Sequence, residues 1–161
     1  MTFARVLQFA AFSALLAAFA TPAQAQNNKP IRSGNWYEDR ASGSFNGTAL
    51  TITFAQSPTD KFLNVTNVAC SITTSSGQVM RDVVLYVGTT AGANDLGRGY
   101  SILGNVVQRI LSTQAFYNIS ANQILYKMGP GRYPSIGIDA PTGGSFSVTG
   151  GCVIVGNLTD N

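Results

Sequence analysis

The stretch FLNVTNVACSI, residues 62–72, decides the fold. Val68, Cys70 and Ile72 are apolar at every second position, and a period of two places them on one face of a β-strand. Leu63 and Val65 alternate as well, but on the opposite parity. One extra residue turns everything after it to the other face, so the switch predicts a β-bulge near Thr66-Asn67.

The same alternation recurs on both sides of this stretch. Leu50, Ile52 and Phe54 alternate with Thr51 and Thr53. Val83, Leu85 and Val87 mark another strand, and the apolar Val84 and Tyr86 between them suit a position near the centre of a sheet. Ile124 and Tyr126 are set against Leu125 and Met128 in the next, and Ile136 and Ile138 mark a short strand after Pro134. The longest run closes the chain, with Phe146, Val148, Cys152, Ile154 and Leu158 all at even positions. Gly, Asn, Ser, Thr and Pro punctuate the runs. Together these features predict an all-β fold, a two-sheet antiparallel sandwich of jelly-roll or Greek-key type. Residues 105–114 (NVVQRILSTQ) place Val106, Val107, Ile110 and Leu111 at helical spacing behind Asn105, a candidate N-cap. Their β-branching tips the reading to strand.

Cys70 and Cys152 both fall on the apolar parity of their strands. They are expected to form one buried disulfide between a middle strand and the last one. An oxidising compartment is in keeping with the N-terminus. Arg5 precedes the apolar run Val6–Ala20, Thr21-Pro22 breaks it, and Ala23-Gln24-Ala25 supplies a small-x-small cleavage pattern. These are the parts of a secretory signal peptide, and the run falls short of the roughly 20 residues of a membrane span. The expected organisation is therefore a signal peptide at 1–25, a flexible lead-in at 26–34 (QNNKPIRSG) and one domain at 35–161. The exported chain would carry no membrane span. It would reside in the periplasm or outside the cell, and the cleavage region points to a Gram-negative bacterium.

The chain has 10 Lys and Arg, 7 Asp and Glu and no histidine. The basic residues are scattered singly, so nucleic acid is not expected as a partner. Without histidine there is no Ser-His-Asp or Cys-His mechanism and no imidazole-based metal site. No Ser-x-x-Lys, P-loop or G-x-G-x-x-G pattern occurs. Most aspartates adjoin turn formers, as in Asn94-Asp95 and Asp139-Ala140-Pro141, where their side chains cap the backbone. Paired carboxylates for glycoside hydrolysis would have to come from Glu38 and this set. The expectation is a non-enzyme with no cofactor and no metal. Four N-x-[ST] sequons, at Asn46, Asn64, Asn118 and Asn157, are read as chance products of an Asn- and Thr-rich strand protein.

Aromatics outside the core pattern are the remaining candidates for ligand contact. Trp36 and Tyr37 are adjacent and so point to opposite faces of a strand. Tyr117 and Tyr133 sit beside Asn and Pro, and Arg132 lies in MGPGRYPS, a rigid turn built on Gly129, Pro130, Gly131 and Pro134. β-Sandwich modules often stack sugars on such rings, and the bland alternative is that these aromatics plug the ends of the sandwich.

The segments VTNVACSI, QILYKMGPGRYPSIGID and GGCVIVGNL, in that order over about residues 62–158, resemble small exported proteins of proteobacteria. The resemblance implies a β-sandwich and an export route, and transfers no functional residue. The expected function is a non-catalytic exported binding or surface-interaction module for a glycan or a protein. The alternative is a structural subunit that assembles through its sheet edges or its N-terminal segment.

Overall fold

The computed structural model describes residues 29–102, 105–141 and 147–160, with the backbone alone at 105–107. The signal-peptide reading of 1–25 and the inward placement of Phe146 lie outside the described residues. The chain is all-β. Among the described residues ten strands run β1 (Ile31–Ser33), β2 (Trp36–Phe45), β3 (Ala49–Thr53), β4 (Phe62–Ser75), β5 (Asp82–Gly88), β6 (Tyr100–Ser101), β7 (Asn105–Leu111), β8 (Gln114–Met128), β9 (Tyr133–Asp139) and β10 (Val148–Thr159). One 3-10 turn, Leu96–Arg98, precedes β6.

The strands form two antiparallel sheets, of order β1-β2-β10-β4-β8-β7 and β3-β9-β5-β6. The cores of these sheets, β2-β10-β4-β8 and β3-β9-β5-β6, interleave strands from both ends of the chain. That is the strand order of a jelly roll, two Greek keys folded face to face. β1 and β7 widen the first sheet beyond the second.

The alternation read from the sequence aims side chains between the layers. Leu50, Ile52, Phe54, Val68, Ile72, Val83, Leu85, Val87, Ile136, Ile138 and Ile154 are all buried in one core. Each large aliphatic contributes about 2 kcal/mol by leaving water. The layers touch at Gly150 of β10, where a Cβ would come within 3.2 Å of Ile52 and 3.3 Å of Ile138. Val84 and Tyr86 point to the other face of β5, and the chain around Gly99 packs onto them. On β8, Ile124 and Met128 are buried together whereas Leu125 is 91% exposed.

The parity switch in residues 62–72 is a bulge. The register of β4 against both β10 and β8 shifts between Val65 and Asn67. On the β8 side, three residues (Gln123, Ile124 and Leu125) lie between the partners of Asn67 and Val65, and Gln123 takes a left-handed φ of 61°. On the β10 side, Gly156 stands where a Cβ would lie 2.2 Å from the Asn64 carbonyl oxygen. The backbones close up there only because position 156 has no side chain.

Cys70 and Cys152 are register partners on the adjacent strands β4 and β10, and they are bonded. The staple is buried and lies within one sheet. Residues 105–111 are strand. Ile31–Ser33, which fall in the segment read as a lead-in, pair with Trp36–Glu38 as the short edge strand β1. The N-terminal segment is thus already used within its own chain over these residues, which disfavours it as a donor strand for a partner.

Candidate functional site

Two of the five residues singled out as ligand contacts are core residues. Tyr37 is fully buried and Tyr117 is 4% exposed. Tyr37 alternates inward from Trp36, and burial followed by the neighbouring Asp39 carboxylate pushes its phenol pKa up. Its Oη has no hydrogen-bond partner among the described residues. The Tyr117 hydroxyl donates to the Gln78 carbonyl at 3.2 Å and accepts from Gln108 Nε2 at 3.1 Å. Both tyrosines are buried between the layers, because strand parity on two packed sheets sends them inward.

Trp36 is 46% exposed on the outer face of the six-stranded sheet. Arg132 immediately precedes β9 and Tyr133 opens it, in the other sheet, so the structure does not bring the three together. The turn carrying Arg132 is tightly held. Gly131 takes a φ of 66°, a left-handed value that glycine adopts without strain. Ser57 N–H donates to the Arg132 carbonyl at 2.8 Å, Arg132 N–H donates to Ser57 Oγ at 3.0 Å, and Gly131 N–H donates to the Pro58 carbonyl at 2.9 Å. Gln56 Nε2 adds a bond to the Gly131 carbonyl at 2.9 Å.

Facing this turn is the segment from Gly88 to Gly99. It is fixed by Asp95 N–H donating to the Val87 carbonyl at 3.0 Å and by Ser135 Oγ donating to Asn94 Oδ1 at 2.6 Å. The Tyr126 hydroxyl donates to the Arg98 carbonyl, and Arg98 Nη2 donates to the Lys127 carbonyl at 3.2 Å. Between the two anchored loops lies a polar cavity of about 320 Å³ lined by Thr89, Asn94, Asp95, Arg98 and Arg132, among others. Arg132 was legible as a loop residue. Asn94-Asp95 and Arg98 read locally as turn residues, and nothing in their spacing pairs them with a residue more than thirty positions away.

Two other features have functional geometry. A shallow trough of about 660 Å³ crosses the outer face of the six-stranded sheet over Ser42, Ala69, Ser71, Ser120 and Val153. Its floor is mostly small side chains, with Arg40 the one charged residue lining it among the described residues. The second feature is the sheet edge. The four-stranded layer cannot cover six strands, and β7 overhangs it. Gln108, Arg109, Ile110 and Leu111 are all exposed, the last two at 60% and 48%.

Carboxylates meet between β5 and β9. Asp82 and Asp139 are register partners on β5 and β9, and Arg81 bridges them through Nε to Asp82 and Nη2 to Asp139. Among the described residues no group of three or more His, Cys, Asp or Glu is placed to hold a metal ion, and no helix is long and apolar enough to cross a membrane.

Strand order, sheet pairing and disulfide define the class: a disulfide-stapled jelly-roll sandwich. No family model and no curated protein matches this chain. Among solved structures, a chain of the Cyanophage Pam1 capsid asymmetric unit is similar at 22% identity, with a TM-score of 0.39, over 83% of this chain and 94% of that one. At that score the likeness carries no argument, and the architecture rests on the strand order alone.

Proposed function

We propose that this protein is a non-catalytic, exported structural subunit that associates with a second copy of itself through the free edge of β7. The observation that supports the reading is the contrast among the four sheet edges. β1 has three residues, β6 two and β3 five, whereas β7 has seven. Proteins usually blunt an exposed edge with shortness, Pro, Lys or a bulge. β7 has none of these. Among the described residues it is hydrogen-bonded on one side only, carries the single charge Arg109, and exposes Ile110 and Leu111. Two copies of one edge can pair antiparallel about a two-fold axis, so each supplies the other's missing backbone partners. The disulfide suits an oxidising location such as a periplasm or the cell exterior.

The mass of the disulfide-bonded chain, measured by light scattering over a hundredfold range of concentration, tests this. A concentration-dependent dimer that Ile110→Lys with Leu111→Lys returns to monomer, at unchanged thermal stability, is the expected result. A wild-type monomer throughout that range overturns the reading.

A further inference from the structure

We propose that the cavity between the Gly88–Gly99 segment and the Arg132 turn is a binding site for a monoanionic, hydroxylated ligand, a uronic-acid residue of a saccharide.

The charge in the cavity is uneven. Arg98 and Arg132 line it together with one acid, Asp95. Among the described residues neither guanidinium is paired with a carboxylate. Arg98 spends one nitrogen on the Lys127 carbonyl, and the Arg132 side chain makes no hydrogen bond among the described residues, although its backbone is clamped at N–H and C=O. A guanidinium with free donors on a rigid loop is arranged to meet a planar carboxylate, which it can grip with two parallel N–H···O bonds.

The acid narrows the class. Asp95 uses Oδ1 to cap the 3-10 turn by accepting from Gly97 N–H at 3.1 Å, which leaves Oδ2 as an acceptor. A carboxylate acceptor beside two cations repels a second negative charge, so sulfate and phosphate dianions are disfavoured. It suits a ligand hydroxyl, which donates. Thr89 on the same wall offers a hydroxyl that can donate or accept, and Asn94 an amide that still has its N–H donors. The volume of about 320 Å³ sits at the small end of ligand sites, the scale of one sugar ring. Neither loop has to be ordered on binding, because both are already pinned to the sheets and to each other's neighbours. This site is separate from the β7 edge, so either can fail without the other.

The test is titration of the isotope-labelled, disulfide-bonded chain with galacturonate, galactose and inorganic sulfate, followed by amide shifts in two-dimensional NMR. Galacturonate is expected to move the Gly88, Asn94, Asp95 and Arg132 amides saturably, with a dissociation constant on the order of 1 mM, typical of a single small ligand. Galactose and sulfate should bind at least about tenfold more weakly. Arg132→Gln, whose side chain holds no structural bond, should weaken galacturonate by about tenfold or more with an unchanged melting temperature. Asp95→Asn keeps the cap on Gly97 and should raise sulfate affinity toward that of galacturonate. Trp36→Ala, on the opposite face, should change nothing. Equal binding of galactose, equal or tighter binding of sulfate by wild type, unchanged affinity in a folded Arg132→Gln, or no saturable shift each overturns the proposal.

Discussion

The buried carboxylate of Asp39 on β2 accepts the backbone N–H of Ala55 at 2.9 Å, fastening the first sheet to the segment that leaves β3 in the second. Its other oxygen accepts from Arg40 N–H at 2.8 Å. Asp39 is 2% exposed, and burial raises its pKa against the opposing pull of the Ala55 and Arg40 N–H groups. The net direction is up, so the folded protein holds this proton more tightly than the unfolded chain does.

Stability should therefore depend on pH in a defined sense. A carboxyl whose folded pKa is raised contributes stability fully below its unfolded pKa, about 4, and that contribution is lost as pH rises through the folded value. Asp39→Asn removes the titration and weakens the bond to Ala55, a loss of about 1–2 kcal/mol. Urea unfolding of both proteins at pH 3 and pH 7 checks the sign. The advantage of wild type over the variant should be larger at the acid end, and an advantage that grows toward neutrality refutes the assignment.

Replacing Cys70 and Cys152 together by Ser should cost about 4 kcal/mol in the chain-entropy account of a loop this long; the two are 82 residues apart in sequence. The bond joins register partners, so the sheet pairing itself should survive. The midpoint of denaturant unfolding should fall with the circular dichroism of the native state unchanged. An unaltered midpoint would mean that the staple adds nothing.

Gly156→Ala should destabilise by about 3 kcal/mol, since its Cβ would meet backbone on β4 that has no room to yield. Gly151, five residues earlier on the same strand, is the control. A Cβ there comes no nearer than 3.9 Å to Ser42, so Gly151→Ala should stay within about 0.5 kcal/mol of wild type. Thermal melts of the two variants decide, and equal melting temperatures would dissociate the bulge from any need for glycine.

At the opposite end of the sandwich, Gln78 is 1% exposed. Its Nε2 donates to the Gly47 and Ala140 carbonyls, each at 3.2 Å, and its Oε1 accepts from Ser75 N–H at 3.1 Å. Gln78→Leu keeps the volume and strands all three backbone groups, a loss of about 3 kcal/mol. Hydrogen exchange at the Ser75 amide should accelerate in the variant, and unchanged protection there would remove Gln78 from this role.

Strand content, inward parity, the bulge at Thr66-Asn67 and the disulfide partners could all be read along the chain. Each is a local consequence of the two-residue period of a strand, or of having two cysteines to pair. The opposite parities of Leu63-Val65 and Val68-Ile72 carry the bulge because a pleat has only two faces. Which strands lie side by side could not be read, since β2 pairs with β10 across most of the chain and no residue in Trp36–Phe45 encodes that partner. The same limit governed the ligand candidates. Tyr37 and Tyr117 are apolar enough to serve either face of a strand, and only the packed second sheet fixed them inside.

The sequence by itself determined that Cys70 and Cys152 point into an all-β core, because burial follows pattern. Only the tertiary structure decided that they are neighbours within one sheet, that β7 overhangs the second layer, and that Arg132 faces Asp95 and Arg98. The first two arise from pairing between strands distant in sequence, and the third from loops meeting across the end of the sandwich. Local residue chemistry leaves such meetings open until the sheets are stacked.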